Sequence, residues 1–294
     1  MDEKSIRPFA AEEMETLSLF AERLNARRET GSTFCCSRAQ DIRRDFEATA
    51  AHGFACWEGT TPLGLVNCFF DEEKHNADCT LLIAASGSAY SAIAAPLLSA
   101  AQATLPPETA CTFFFPTENA DCRHFLEQAG AERQENEYIL LLRRADWHEA
   151  PCPAVQLRPV RDEEQAAFAT LYDALFPGVY ASGADIWADR DQARRLYVIP
   201  DAAGIAAYGV LKTTGGEKAT AEMLGVRPDV RRRGLGRAML NHLARQAFSR
   251  FGAKSLELVV DADNTGALRL YLNTGFQIQQ ENNCYILKQG KDGI

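Results

Sequence analysis

The chain has 294 residues, 46% hydrophobic and 24% charged, which are proportions of a folded globular protein and exclude a disordered or collagen-like chain. This length suffices for one large domain or two ordinary ones. The formal net charge of −9, from 31 Lys and Arg against 40 Asp and Glu, argues against a nucleic-acid-binding protein, because phosphate contacts need a positive face.

The start of the chain and its cysteines predict the compartment. Residues Met1 to Lys4 lack the basic-then-apolar order of a secretory signal peptide. The nine cysteines include no CxxC pair, and most stand in apolar segments, as buried thiols of a reducing compartment do. We therefore expect a cytoplasmic protein without a metal site.

A charge-free segment occupies residues 79–107. A membrane-spanning helix needs about 20 predominantly apolar residues, but serines, Gln102 and Pro96 interrupt this segment. The pattern favours a buried strand at Thr80–Ala85 followed by a packed, alanine-rich helix. We accordingly expect no membrane partner.

Internal matches indicate that the chain contains two copies of one domain. They recur in the same order at offsets of 151, 145 and 147, and they pair Ile6–Pro8 with Leu157–Pro159, Asn119 with Asn264, and Glu137–Leu140 with Cys284–Leu287. Pro151 and Pro153 disfavour a continuing helix or central strand between the copies. The predicted domains are therefore 1–147 and 155–294.

The second copy alternates helical and strand patterns, which predicts an α/β (α+β) fold built on a mixed sheet. The predicted elements are a helix at Glu163–Leu175, strands at Leu196–Ile199, Ala206–Thr213 and Thr220–Val226, a helix from Leu235, a strand at Ser255–Val260, a helix at Asn264–Thr274 and a closing strand pair within Ile278–Leu287.

A basic loop with two glycines separates the strand Thr220–Val226 from the next helix. Residues 227–245 contain six arginines against one acid, Asp229. Glycine lets the backbone approach a ligand closely, and the amides and dipole of a helix N-terminus form an anion site. The segment therefore predicts a polyanionic ligand.

Two other interpretations of this loop explain less. A solvated basic face accounts for the charge but not for the glycines at a strand-to-helix junction. A dinucleotide-binding loop could begin at Gly234-Leu235-Gly236, but its third position is Met239, and too few residues follow for a doubly wound sheet.

The pattern Arg231-x-x-Gly234-x-Gly236 resembles the (Arg/Gln)-x-x-Gly-x-(Gly/Ala) loop of the GNAT acetyltransferase superfamily. Val226-Arg227-Pro228 before the loop, and Asn264, Tyr271 and Gly275-Phe276 after it, are similar to the family's flanking signatures. The resemblance implies two tandem GNAT-like domains, each a mixed, mostly antiparallel sheet flanked by helices. It also implies acetyl-CoA as co-substrate and an amine as acceptor.

The same resemblance implies a set of coenzyme-binding residues along the strand, the loop and the following helices. They are Leu224, Gly225, Val226, Arg231, Arg232, Arg233, Gly234, Leu235, Gly236, Arg237 and Asn264. The sheet is expected to open after Val226, where a freed amide would stabilise the negative charge that develops on the thioester oxygen. Asn264 is also a natural N-cap.

Two residues are candidates for proton transfer. Tyr271 is the candidate general acid because a phenol with a pKa of about 10 is protonated at neutral pH, although it could simply pack. Glu222 is the candidate base that relays a proton from the amine through water, although a strand carboxylate could instead face solvent. Tyr180 and Trp187, in an acidic and aromatic segment at 176–191, are the predicted acceptor-binding residues and suggest a cationic amine.

The first copy lacks these features. An offset of 145 places Arg231, Gly234, Gly236 and Tyr271 on Ser86, Ala89, Ser91 and Leu126. We predict a degenerate copy with a structural role.

The function hypothesis is an acyl-CoA-dependent N-acyltransferase that transfers acetyl to a primary amine by direct attack, in a monomer or a homodimer. The alternative is a non-catalytic acyl-CoA-sensing or protein-interaction module. The sequence does not identify the acceptor, since a fold does not fix function.

Overall fold

The computed structural model describes residues 4–149, 151–179, 181–213 and 216–288. Contacts divide the chain into two compact units, Met1–Glu137 with Glu281–Ile294 (unit 1) and Tyr138–Gln280 (unit 2). The predicted domains, 1–147 and 155–294, are each continuous along the chain, whereas unit 1 also takes in the end of the chain. The strand Glu137–Arg143 groups with unit 2, and most of the strand Gln277–Lys288 groups with unit 1.

Among the described residues up to 137, unit 1 contains four helices and six complete strands. The helices are α1 (Met14–Asn25), α2 (Ala39–Ala48), α3 (Ser88–Gln102) and α4 (Ala120–Gln128), and the strands are β1 (Lys4–Pro8), β2 (Gly53–Glu58), β3 (Thr61–Asp71), β4 (Asn76–Ile83), β5 (Ala110–Pro116) and β6 (Glu132–Arg133). The strand order is β1-β2-β3-β4-β5, followed by residues 281–288 of the last strand. β4 and β5 are parallel, and the other pairs along this order are antiparallel.

Alternation along the strands of unit 1 creates a core on each face of its sheet. Trp57 and Leu65 pack with α1 and α2 on one face, whereas Val66 and Leu81 pack with α3 and α4 on the other. The charge-free segment thus forms β4 and the buried helix α3, as predicted.

Unit 2 contains the remaining elements. Its strands are β7 (Glu137–Arg143), β8 (Arg158–Pro159), β9 (Arg194–Asp201), β10 (Gly204–Thr213), β11 (Lys218–Val226) and β12 (Ser255–Asp261), its helices are α5 (Gln165–Leu175), α6 (Gly183–Ala188), α7 (Leu235–Arg245) and α8 (Thr265–Leu272), and β13 (Gln277–Lys288) begins here. The strand order is β7-β12-β11-β10-β9-β8, with β11 and β12 parallel.

Helices cover both faces of the sheet of unit 2. Phe168 and Tyr172 of α5 and Trp187 of α6 pack on one face, which we call the α5–α6 face. Met239 and Leu243 of α7 pack on the opposite face. This arrangement places the predicted ligand loop between β11 and α7.

The structure repeats the same element order in both units, as the sequence matches predict. The series β4-α3-β5-α4 corresponds to β11-α7-β12-α8. Asn119 caps α4 by accepting a hydrogen bond from the Cys122 amide at 3.1 Å, and Asn264 caps α8 by accepting one from the Ala267 amide at 3.2 Å.

Two expectations need correction. Residues 277–288 form one long strand, not a strand pair. The counterpart of Gly234 is Gly87 rather than Ala89, because both glycines occupy the N-cap position with positive φ, +80° and +58°. One loop glycine is therefore present in the first copy.

The described residues include no helix long and apolar enough to span a membrane.

Candidate active site

The loop between β11 and α7 adopts a conformation that glycine makes possible. A single turn at Pro228–Val230 leads to Arg232, whose φ is +66°, and then to Gly234, whose φ is +80°. Gly234 lies in the left-handed region at the N-cap of α7 and has no side chain to cap it. The first turn of this helix therefore presents its amides without a capping side chain.

A run of backbone N–H groups along this loop has no partner. From Arg232 to Arg237, these groups donate to no acceptor among the residues that the structure describes. The guanidinium Nε of Arg237 is also buried without a hydrogen-bond partner in that part of the chain. Consecutive free amides at the positive end of a helix dipole form an anion site that suits a pyrophosphate.

Only some of the arginines are neutralised. Arg227 is ion-paired with Asp201 at 2.6 Å and with Asp229 at 2.7 Å, and Arg245 is ion-paired with Glu149. The other four of the segment make no ion pair with a described residue; they are Arg231, Arg232, Arg233 and Arg237. The positive charge therefore concentrates on the loop and the first turn of α7.

An apolar wall flanks the loop. A Cβ added at Gly236 would lie 3.2 Å from Leu270 Cδ2, 3.7 Å from Val226 Cγ2 and 3.8 Å from Leu224 Cδ2. A Cβ at Gly234 would lie 2.8 Å from Pro153 Cδ. The fold thus brings the predicted strand, loop and α8 segment together. It leaves no room for a larger residue at Gly234, and a Cβ at Gly236 would be in close contact with Leu270.

The sheet of unit 2 opens beside this loop. β11 pairs with β12 only from Lys218 to Thr220, and both strands continue beyond this pairing. The opening therefore begins after Thr220, six residues earlier than the predicted point after Val226. The edge of β11 that faces the gap has lost its ladder partner, so its amides are available to a ligand.

Glu222 is the extra residue of a β-bulge. Val210 pairs with Met223 and Leu211 pairs with Ala221, so Glu222 has no opposite residue. Bulges redirect side chains and are frequent next to active sites.

The Glu222 carboxylate is held in an ion-pair network on the α5–α6 face. Arg194 donates to it through Nε at 2.6 Å and Nη2 at 2.7 Å, while Arg194 Nη1 pairs with Asp189. Lys212 Nζ lies 3.8 Å from Glu222 Oε1. Glu222 is only 8% exposed, so this predicted base is oriented by Arg194 and does not face bulk solvent.

Tyr271 lies in the core cluster beneath α7, with its ring 6.0 Å from that of Phe276. Its hydroxyl makes no hydrogen bond to a described residue. Burial raises the pKa of Tyr271 to about 12. The phenol is therefore protonated throughout the neutral range, as a proton donor must be.

The charges of the α5–α6 segment are partly paired. Asp185 accepts hydrogen bonds from Ser182, and Asp189 belongs to the Arg194 network. Trp187 is buried, and the guanidinium carbon of Arg190 lies 4.2 Å from its ring centroid. These pairings neutralise Asp189 but do not test the charge of the acceptor, so the cationic acceptor stays a prediction. Tyr180, the other predicted acceptor residue, lies outside the described residues.

Two tyrosine hydroxyls on this face were not anticipated. Tyr172 and Tyr208 are fully buried, their ring centroids are 5.9 Å apart, and neither hydroxyl has a partner among the described residues. Desolvation, then the nearby charge of Glu222, raises the pKa of Tyr172 to about 12. Nothing in the local sequence marks these tyrosines or Arg194, since their proximity depends on the pairing of β9, β10 and β11 and on the packing of α5 against this sheet.

The equivalent loop of unit 1 differs in charge and length. It runs only from Ala84 to Gly87, against Arg227 to Gly234 in unit 2. The Gly87 amide donates to the Asp121 carboxylate at 2.8 Å. A carboxylate of the chain thus occupies the position where an anion would bind.

No group of three or more His, Cys, Asp or Glu side chains in the described ranges is arranged to hold a metal ion.

Comparison with known proteins identifies relatives of this part of the chain. Residues 157–276 match the model of the acetyltransferase (GNAT) family. The [ribosomal protein bS18]-alanine N-acetyltransferase of Salmonella typhimurium is 37% identical over 89 residues, which are 30% of this chain and 59% of that protein. Acetyltransferase SG1711 of Sodalis glossinidius is 27% identical over 84 residues, 29% of this chain and 58% of that protein. The chain therefore spans less than two thirds of these relatives.

Solved structures match nearly the whole chain. A GCN5-related N-acetyltransferase from Sphaerobacter thermophilus aligns with a TM-score of 0.78 at 14% identity, over 99% of this chain and 97% of that one. A tandem GNAT protein from the clavulanic acid biosynthesis pathway aligns with a TM-score of 0.70 at 16% identity, over 99% of this chain and 100% of that one. The predicted fold class and its tandem arrangement are confirmed.

Proposed function

We propose that the protein is an acyl-CoA-dependent N-acyltransferase, since residues 157–276 match the model of the acetyltransferase (GNAT) family. In this proposal it transfers the acetyl group of acetyl-CoA to a primary amine by direct attack. The observation that carries the proposal is the run of unpartnered amides from Arg232 to Arg237, surrounded by unpaired arginines.

The proposed coenzyme site combines the anion loop with the apolar wall. The amides of the loop and first turn of α7 would hold the pyrophosphate, and Leu224, Gly225 and Val226 would contact the pantetheine arm beside the opened sheet. Asn264 would add a contact from the start of α8. When bound, acetyl-CoA supplies an activated thioester carbonyl. An amide at the free edge of β11 stabilises the charge on that oxygen.

Two side chains of unit 2 are assigned to proton transfer. Tyr271 holds a proton at Oη that it donates to the departing sulfur. Glu222 receives the proton of the amine through a water molecule. Arg194 sets the basicity of Glu222, because an adjacent cation stabilises the ionised carboxylate.

The acceptor is proposed to approach over the α5–α6 face. Buried hydroxyls are almost always hydrogen-bonded, so the unpartnered hydroxyls of Tyr172 and Tyr208 are candidate contacts for a polar group of the acceptor. The ion-pair network around Arg194 is internally balanced, so it adds no net charge to this face. The alanine N-terminus named for the Salmonella relative is one example of a primary amine to test.

Unit 1 is proposed to bind no coenzyme, because its loop is short, uncharged and occupied by Asp121.

All nine cysteines are free thiols, which fits the proposed cytoplasmic location.

The test is to incubate the full chain with acetyl-CoA and three primary amines while measuring free thiol. The amines are a peptide with an N-terminal alanine, an amino sugar and a polyamine, and a parallel binding titration reports coenzyme affinity. The proposal predicts amine-dependent thiol release with at least one of them, lost in Gly234→Val. Tight coenzyme binding without amine-dependent thiol release favours the non-catalytic sensing module, and absence of coenzyme binding contradicts both.

A further inference from the structure

A cluster of three buried thiols lies in unit 1, away from every residue assigned to acyl transfer. Cys68 of β3, Cys79 of β4 and Cys111 of β5 belong to the same core cluster, with exposures of 0%, 1% and 0%. Adjacent strands therefore contribute one thiol each to a single face of the sheet.

Cys68 and Cys79 are placed to form a covalent bond. They are directly opposite each other in the antiparallel β3–β4 pair, and their Sγ atoms are 2.9 Å apart. Directly opposed residues of such a pair have Cα atoms about 4.5–5.5 Å apart, inside the span of about 4.4–6.8 Å that disulfides bridge. The sulfurs need to approach by only about 0.9 Å to reach bonding distance.

Cys111 is less well placed for a bond to Cys79. The parallel register of β4 and β5 sets Cys111 opposite Ala77, two residues from Cys79. Diagonal neighbours of this kind have Cα atoms about 7–8 Å apart, beyond the usual disulfide span. Geometry therefore selects the bond between Cys68 and Cys79 over the bond between Cys79 and Cys111.

We propose that Cys68 and Cys79 are an oxidisable pair, which a small peroxide converts into a cross-strand disulfide. One thiol is oxidised by hydrogen peroxide to a sulfenic acid with release of one water. The second thiol attacks this sulfur, forms the S–S bond and releases the oxygen as a second water. Two thiols are thus oxidised, one peroxide is reduced, and Cys111 keeps its proton.

Burial makes this reaction slow in the native protein. It raises the pKa of the Cys79 thiol well above the usual range, and the thiolate is the reactive form. Oxidation therefore waits for a local opening of β3 and β4, whereas Cys36 and Cys152 are exposed and need no such opening. Once formed, the disulfide is shielded from reductants in the same way.

The experiment treats the full chain with hydrogen peroxide, quenches the reaction, alkylates free thiols under denaturing conditions and maps peptides without reduction. The expected product is a peptide pair joined through Cys68 and Cys79 that a dithiol separates, while Cys111 is recovered alkylated. The oxidised protein is also expected to melt at a higher temperature, since the bond constrains the unfolded chain.

Matched variants identify the bond. Cys111→Ala should retain the linked peptides, whereas Cys68→Ala should lose them and leave Cys79 alkylated. Recovery of Cys68 and Cys79 as alkylated thiols after Cys36 and Cys152 have been oxidised would overturn the proposal, as would linkage of Cys79 to Cys111. Peptide mapping of the peroxide-treated wild-type chain shows whether Cys68 and Cys79 are linked even where a variant fails to fold. The outcome does not depend on the proposed acyl transfer.

Discussion

Glu222 owes its surroundings to its position in a bulge. The bulge directs its carboxylate to the α5–α6 face, where Arg194 holds it through two hydrogen bonds. A strand carboxylate is visible in the sequence, but its partner is not, because Arg194 lies 28 residues away on a non-adjacent strand. At this scale the sequence shows the carboxylate, and the fold supplies its ion-pair partner.

Replacing Arg194 tests the role of Glu222 as the base. In Arg194→Gln the carboxylate loses its adjacent cation, so its pKa rises and it becomes ionised only at higher pH. The acid limb of the pH profile of kcat/KM is expected to move upward by about 1–3 units. Arg190→Gln, which removes an ion pair with Asp162 that does not involve Glu222, is the control and should leave the limb in place. If the acid limb of the profile does not move in Arg194→Gln, Glu222 is not the base.

Replacing Tyr271 tests the proton donor. Tyr271→Phe is expected to lower kcat by about 10²–10⁴-fold with coenzyme affinity unchanged. Because the pKa of Tyr271 is about 12, the wild-type rate should show no loss of this donor below about pH 10. Tyr197→Phe, which removes another hydroxyl of the same core cluster, is the control. Retention of kcat in Tyr271→Phe would refute the assignment.

Replacing Gly234 tests the loop backbone. Valine at φ +80° is strained, and its Cβ would meet Pro153, so Gly234→Val should weaken acetyl-CoA binding by more than tenfold. Gly204→Val is the matched control, because Gly204 also has positive φ, at +115°, but its Cβ would meet nothing within 4 Å. Both variants lose stability, and only the first should lose affinity in a binding titration. Equal affinities would exclude the loop as the coenzyme site.

Helices and strands with clear periodicity were predictable as elements. The helix at Gln165–Leu175 lies within the predicted range Glu163–Leu175, and β10 includes the predicted strand Ala206–Thr213. The single strand β13 was not predictable, because a strand's own pattern does not specify which strand it pairs with. The early opening of the sheet was missed for the same reason, since nothing in β11 marks where β12 diverges.

The caps of α4 and α8 provide a prediction at the element scale. Asn264→Ala removes the α8 cap and is expected to lower the free energy of unfolding by about 1 kcal/mol and to weaken acetyl-CoA binding. Asn119→Ala removes the α4 cap and also a buried bond to the Gly31 carbonyl at 3.0 Å. It should therefore cost more stability while leaving affinity unchanged. Chemical denaturation and coenzyme titration measure the two effects, and weaker coenzyme binding in Asn119→Ala would contradict the assignment.

At the scale of the whole molecule, the charge divides between the halves. Residues 1–150 contain 13 basic and 24 acidic side chains, whereas residues 151–294 contain 18 and 16. The same asymmetry is present at the two corresponding helix N-termini. Asp121 contacts the N-terminus of α3 in unit 1, whereas arginines without an ion pair to a described residue surround the N-terminus of α7 in unit 2. The duplication and its divergence were predictable from offsets and charge, but the exchange of the last strands between the units depends on contacts that no local pattern encodes.

The most direct test of the account is the stoichiometry of acetyl-CoA binding to the full chain by isothermal titration calorimetry. The account predicts one coenzyme per chain, bound at unit 2 and lost in Gly234→Val. Two coenzymes per chain, or one that persists in Gly234→Val, would contradict it.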